Sequence, residues 1–344
     1  MKNILVIRND KLGDFMLAWP AFAMLKQSDP TLKLTALVPA YTAPLAEICP
    51  YLDNVIIDAG KHGTSAEKDR TLQAIKNAGF EGAINFFSNS YNALLVWKAG
   101  IPYRLAPATK IIQFLYTHRL TQRRSKSAKP EFEYNLDLAR AFLRKHNLNV
   151  CEPKPPYLVL EEQAVNKQKI LLSQQLNLEL DKKWVFVHAG TGGSANNLSL
   201  KQYADLILEI LAKFNCEIIL TAGPNESEKA HELAKLVGES AVKIYDKNQG
   251  LVDFTHSLAC ADLFIAGSTG PLHLAAALNC STIGFFPSKR SATPLRWQPI
   301  NATHRHLAFC PPQDKHLNDD LTVIDIKQVL IQAIPFIEKQ WGNI

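Results

Sequence analysis

No apolar run in this chain approaches the length that crosses a bilayer, and the first one, Ile4-Leu5-Val6-Ile7, is only strand-length. Met1-Lys2-Asn3 leads straight into it, so neither a targeting segment nor a membrane span is expected, and the protein reads as cytoplasmic. Cysteine is sparse and scattered: Cys49, Cys151, Cys216, Cys260, Cys280 and Cys310 include no C-x-x-C pair, which argues against a disulfide framework or a zinc site and for reduced, mostly buried thiols. No Asp-x-Asp pair is present, so a divalent metal bridging a diphosphate is not indicated. The Lys-Ser/Thr pair of a Walker A loop is missing, and no G-x-G-x-x-G stands in register. Charge excess is small as well: +6 over 344 residues makes no case for nucleic acid, although a local basic patch could meet an anionic partner.

What the chain does have is an ordinary globular composition, 47% hydrophobic and 20% charged, over a length that suits two domains. Apolar strand-like runs alternate with helical patterns from end to end. In the first half these are strands at 4–7, 34–38, 55–57 and 82–87, and helices at 15–26, 42–48, 66–77 and 131–146. Pro20 lies inside the first helical pattern and should kink it or mark a late start. Pro153, Pro155 and Pro156 then favour an extended connection. The alternation resumes with strands at 184–188, 217–221, 242–245, the run ending at Gly267, and 281–286. The expected fold is α/β, with two Rossmann-like, doubly wound domains at 1–152 and 160–325, and a C-terminal helix within 326–344 that packs back towards the first domain. Ligands of such sheets bind beyond the carboxyl ends of the strands, here in a cleft between the halves.

Three loops fall at such strand ends. Asp10 and Asp14 follow the first strand directly. Gly190-Thr191-Gly192-Gly193-Ser194, between a strand and a helix, offers backbone donors, hydroxyls and little steric bulk, the makings of an anion cradle. Gly267-Ser268-Thr269-Gly270-Pro271 turns into an Ala-rich helix whose N-terminus would point N–H groups and the positive end of its dipole at a phosphate; the plain alternative is a packing turn. A fourth feature is the segment 110–129, where His118, Arg119, Arg123, Arg124, Lys126 and Lys129 meet Phe114, Tyr116 and nearby Trp97 without one acidic residue. It reads either as a solvated loop or as a docking site for an anionic acceptor or an anionic membrane surface.

These loops together carry a resemblance. Leu5-Val6-Ile7-Arg8-Asn9-Asp10-Lys11-Leu12-Gly13-Asp14, His188-Ala189-Gly190-Thr191-Gly192-Gly193-Ser194-Ala195, the Gly267–Ala277 turn and helix, and Arg296-Trp297-Gln298-Pro299 resemble, in the same order, glycosyltransferase family 9 of lipopolysaccharide heptosyltransferases. The resemblance implies the GT-B architecture and transfer of heptose from ADP-heptose to the lipopolysaccharide inner core with inversion. It places the general base at Asp14, with Asp10 as the second candidate or its orienting partner; a helix N-cap is the other role open to Asp14. Gly190, Thr191, Gly192, Gly193, Ser194, Ser268, Thr269, Gly270 and His273 would hold the donor, and Glu226 its ribose, with Glu228 as the alternative. Lys11 and Gly13 would face the acceptor together with Arg119, Arg123 and Arg124. No metal and no cofactor are expected beyond the nucleotide-sugar co-substrate, and the implied partners are an anionic lipopolysaccharide acceptor and the cytoplasmic face of the inner membrane.

Two departures stand out. Ser268 replaces the aspartate that some members carry before Thr-Gly, and Asn196-Asn197-Leu198 stands where many carry a cation followed by tryptophan; Lys289, Arg290 or Arg296 could compensate. Three other readings remain open: a transferase using another nucleotide-sugar donor, a nucleotide-sugar epimerase on the same fold, and a membrane-surface scaffold without chemistry.

Overall fold

The computed structural model describes residues 1–193 and 196–342, and the chain divides into two compact units, Met1–Tyr157 and Leu158–Ile344. The division follows the prolines of the connection.

The first unit runs β1 (Asn3–Ile7), α1 (Leu12–Met16), α2 (Trp19–Ser28), β2 (Lys33–Pro39), α3 (Ala43–Glu47), β3 (Asn54–Asp58), α4 (Ser65–Asn77), β4 (Gly82–Asn85), α5 (Ser90–Lys98), β5 (Tyr103–Pro107), β6 (His118–Leu120) and α6 (Glu131–Lys145). Its six strands are parallel, in the order β3-β2-β1-β4-β5-β6. β1 is central and all of Ile4 to Ile7 is buried, as a strand covered on both faces requires. One face packs Leu5 and Ile7 with Ile75, Val96 and Ala106. Helices α2 and α6 lie together, and Phe15, Trp19, Phe22 and Phe86 interlock through edge and tilted ring contacts.

Pro20 marks the late start rather than a kink: the expected 15–26 helix is two helices, and Pro20 sits in the first turn of α2, where its missing N–H costs nothing. The basic segment is not one loop either. It holds a 3₁₀ turn at Ile111–Leu115, the edge strand β6 and a second 3₁₀ turn at Arg124–Lys126.

The second unit runs α7 (Glu162–Leu176), β7 (Lys183–His188), α8 (Leu200–Lys213), β8 (Cys216–Thr221), α9 (Ser227–Val237), β9 (Lys243–Tyr245), α10 (Leu251–Ala259), β10 (Leu263–Gly267), α11 (Gly270–Ala277), β11 (Thr282–Phe285), β12 (His306–Phe309) and α12 (Ile326–Trp341). Its sheet, also parallel, is ordered β12-β11-β10-β7-β8-β9. Counted from its own first strand, this is the same 3-2-1-4-5-6 order as in the first unit. α8 begins with a reciprocal capping box between Ser199 and Gln202. α12 buries Val329, Ala333 and Ile337 in the core of this unit, beside α8. Among the described residues, no helix is long and apolar enough to cross a membrane.

In each unit the strand order reverses at one point, between β1 and β4 and between β7 and β10. Ligands of doubly wound sheets bind at such points. The loops singled out in the sequence leave β1, β7 and β10.

Candidate active site

At the switch point of the first unit, β1 delivers Arg8, whose side chain is 3% exposed. Its guanidinium donates through Nε to Asp10 Oδ1 at 2.9 Å, through Nη2 to Asp14 Oδ1 at 2.5 Å, and through Nη1 to Glu131 Oε1 at 3.1 Å. Nη1 also reaches Phe86 O and Asn135 Oδ1. Arg124 Nη1 meets the same Glu131 oxygen at 2.7 Å. Two guanidinium groups thus face three carboxylates in a largely buried cluster. Burial pushes the Asp10 carboxyl up to about 7 against the pull of Arg8, and the charge of Asp14 pushes the same way.

Asp14 is not the N-cap of α1; Lys11 takes that position, and Asp14 stands in the helix's first turn. Lys11 is exposed and Gly13 half-buried. Arg119 and Arg123 are exposed, whereas Arg124 turns inward, bound to Glu131 and to Gln122 Oε1 at 2.8 Å and lying over the Tyr134 ring. Arg124, expected at the acceptor, is thus tied down by Glu131, the first acidic residue after the basic segment. Arg8 and Glu131 were not singled out in the sequence. They stand 123 residues apart, and no local pattern joins them.

In the second unit, the loop after β7 is occupied from within. The Glu226 carboxylate, buried at the start of α9, accepts the N–H of Thr191 at 2.8 Å and of Gly192 at 2.7 Å. A Cβ on Gly190 would stand 2.1 Å from Glu226 Oε2, and one on Gly223 2.9 Å from it, so both glycines exist to let this carboxylate in. Gly192 and Gly193 take positive φ, 55° and 71°. The open cradle of amides expected here is thus partly filled by an anion of the protein's own, and Glu228, the alternative ribose ligand, is exposed. Ser194 lies outside the described residues. His188 closes β7, with Nδ1 2.9 Å from Thr221 Oγ1 and Nε2 3.7 Å from Glu226 Oε2. Burial drives its pKa down to about 4, Glu226 opposing, so the imidazole is neutral near pH 7.

The turn after β10 is different. Thr269 holds the N-cap position of α11 with extended backbone, yet its hydroxyl caps nothing. It is buried, and Oγ1 has no hydrogen-bond partner among the described residues. Such an orphan costs about 1–3 kcal/mol unless something satisfies it. Gly270 and Pro271 open the helix beside it, and Ser268 is half-buried. His273 is buried one turn in; Nδ1 lacks a partner among the described residues, and burial, with His306 nearby, takes its pKa down to about 3. A neutral His273 can donate or accept one hydrogen bond and carries no charge.

Asn197, noted above only as a departure, is a structural tie. It donates to Ala189 O at 2.9 Å, accepts from Tyr203 OH at 2.8 Å and fills the space that a Cβ on Gly267 would need. Of the possible compensating cations, Lys289 pairs with Asp319 at 2.5 Å, Arg290 is exposed, and Arg296 lies over the Trp297 ring. Among the described residues no group of three or more His, Cys, Asp or Glu is placed to hold a metal ion.

Two units, each a parallel sheet of order 3-2-1-4-5-6 with helices packed on it, place the chain in the class of two-domain, Rossmann-like α/β proteins. Comparison with known proteins makes this specific. Residues 69–319 match the family described as glycosyltransferase family 9 (heptosyltransferase). A provisionally named glycosyltransferase of Haemophilus influenzae is 62% identical over 99% of this chain and 98% of its own. Lipopolysaccharide heptosyltransferase 3 of Escherichia coli is 24% identical over 80% of each chain. The structure of E. coli ADP-heptose LPS heptosyltransferase II superposes with a TM-score of 0.79 over 99% of this chain and 100% of that one, at 18% identity, which shows a shared GT-B fold. The chain belongs to glycosyltransferase family 9 and is a glycosyltransferase.

Proposed function

We propose that this enzyme transfers a heptose from ADP-heptose to the inner core of lipopolysaccharide, with inversion at the anomeric carbon and Asp14 as general base. The observation that carries this reading is the carboxylate pair held by Arg8 at the switch point of the first unit. Family membership supports heptose transfer, and the E. coli neighbour named for ADP-heptose supports the donor.

In this reaction the acceptor hydroxyl oxygen attacks the anomeric carbon, the bond to the donor's phosphate oxygen breaks with its electron pair leaving on ADP, and the acceptor proton passes to Asp14. Arg8 fixes the rotamer of Asp14 through Nη2, so that the base is oriented before the acceptor arrives. Asp10, on the same guanidinium, is the orienting partner. The departing diphosphate needs charge stabilisation more than protonation. Thr269 Oγ1 and the first amides of α11 provide it, aided by the helix dipole. Glu226 keeps the glycine loop folded and is the ligand for the nucleotide ribose. The nucleotide sugar is a co-substrate, and no cofactor takes part. The enzyme works at the cytoplasmic face of the inner membrane as a peripheral protein.

The test is ADP release on mixing purified enzyme, ADP-heptose and a truncated core acceptor, with calorimetric binding of ADP, UDP and GDP alongside. Preference for ADP and acceptor-dependent turnover are expected. Preference for UDP or GDP would overturn the donor, and absence of turnover with every nucleotide-heptose would overturn the reading itself.

A further inference from the structure

One surface of the first unit is unlike the rest. From residue 82 to residue 130 the chain holds no Asp or Glu and eight Lys or Arg. Within that stretch, α5 and the 3₁₀ turn Ile111–Leu115 pack on each other, and both are apolar on two faces. Their inner faces, Ala93, Leu95 and Val96 from α5 and Ile112 and Leu115 from the turn, meet in one core cluster. Their outer faces are exposed among the described residues. Ile111 is 87% exposed, Phe114 65%, Trp97 50% and Leu94 39%.

The geometry accounts for the split. In a 3₁₀ turn, residues i and i+3 eclipse, so Ile111 stands over Phe114 while Ile112 stands over Leu115. In α5 the i, i+3 pair Leu94 and Trp97 shares the outward side. The turn is also held in place: Arg104 donates to Leu115 O at 2.8 Å and to Ile101 O at 2.5 Å, so the outward side chains sit on a fixed base. Lys98 follows Trp97 and Lys110 precedes Ile111; both are exposed, and no ion pair is recorded for either among the described residues.

We infer that Leu94, Trp97, Ile111 and Phe114 form a membrane-docking face that inserts into the interfacial layer of an anionic bilayer, with Lys98 and Lys110 at its edge meeting the lipid phosphates. Four large apolar side chains kept outward on a rigid base favour an apolar phase. Lys98 and Lys110, exposed and without an ion pair among the described residues, favour an anionic one. A bilayer of anionic lipids offers both at once, the apolar layer lying directly beneath the charge. A Trp beside a Lys suits that boundary, where an amphipathic ring and a long charged chain each have one end dry and one end wet. The inference deepens the membrane location proposed above by naming the surface that makes contact, and it is independent of the donor assignment.

The test is co-sedimentation of the full chain with two vesicle types, phosphatidylcholine alone and phosphatidylcholine mixed with phosphatidylglycerol, with neither donor nor acceptor present. Binding to the mixed vesicles, weakened by salt, is expected, with much weaker binding to the neutral ones. Ile111→Ser with Phe114→Ser should lower partitioning about tenfold or more. Lys98→Gln with Lys110→Gln should lower it roughly fivefold per lysine removed. Should the apolar pair fail to fold, the lysine pair carries the test, since both residues are exposed. Equal binding of wild type and variants, or equal binding to both vesicle types, would overturn the inference. So would an oligomer that the Ile111/Phe114 variant dissolves while vesicle binding persists, because the face would then join copies of the chain. ADP binding measured on the same samples separates the two readings: its loss in wild type counts against the donor assignment and leaves the docking face standing.

Discussion

Arg8 donates to three carboxylates at once, and its burial makes each of those bonds matter more than it would at the surface. Asp14→Asn keeps the shape of the side chain but removes the proposed base, so turnover should fall on the order of 10²-fold or more while ADP binding is unchanged. An unaltered rate would transfer the role to Asp10. Asp10 allows a second prediction, about stability. Its carboxyl is raised by burial from 3.8 to about 7, so the folded chain holds this proton more tightly than the unfolded one. Its contribution therefore favours folding at low pH and is lost as pH rises from about 4 through about 7. Asp10→Asn cannot lose it and leaves two carboxylates for two guanidinium groups. Between about pH 5 and about pH 8 the melting temperature of wild type should therefore drop more than that of the variant; parallel curves would show that Asp10 does not titrate in this range.

At the scale of the element, the loop after β7 is shaped by a carboxylate 34 and 35 residues further on. Gly190→Ala would put a methyl group 2.1 Å from Glu226 Oε2, and the carboxylate would have to move. We expect a loss of about 1–3 kcal/mol, the usual cost of overpacking, together with weaker ADP binding. Adding Glu226→Ala should return part of the stability, since the clash is with that side chain; strictly additive losses in denaturant melts would rule this out. This contact also marks where sequence reading stops. The alternation of strands and helices, the proline-rich connection and the three loops at strand ends were legible because each is a local signal. β5, β6 and β12 were not: β5 contains Arg104 and ends in Pro107, β6 is only His-Arg-Leu, and β12 opens with His306, so none presents an apolar run. Glycines in the loop after β7 suggested an open anion cradle, but nothing nearby in the chain showed that Glu226 already occupied it. Arg124 looked like a surface cation for the same reason, its partner Glu131 being visible only once the 3₁₀ turn at Arg124–Lys126 and the start of α6 are folded.

For the molecule as a whole, the two units are built on sheets of the same strand order, and the proposed function gives the base to one and the donor to the other. Each has its own core, so the response to nucleotide should be confined to one of them. ADP at a hundredfold excess over its Kd should stabilise the fold by about 2.7 kcal/mol. Amide hydrogen exchange should slow in the loop after β7 and in the first turn of α11, and stay unchanged at β1 and α1. Protection of β1 instead would move the donor to the first unit. The ion pair between Arg8 and Glu131 has a further consequence, for synthesis. The loop carrying Asp10 and Asp14 is synthesised ahead of the carboxylate that completes the burial of Arg8, which follows that arginine 123 residues later. At roughly 5–20 residues per second, a nascent chain spends several seconds or more with that guanidinium unmatched. A chain that stalls before residue 131 therefore has β1, Arg8 and the two aspartates but lacks the buried carboxylate that holds the far side of the guanidinium.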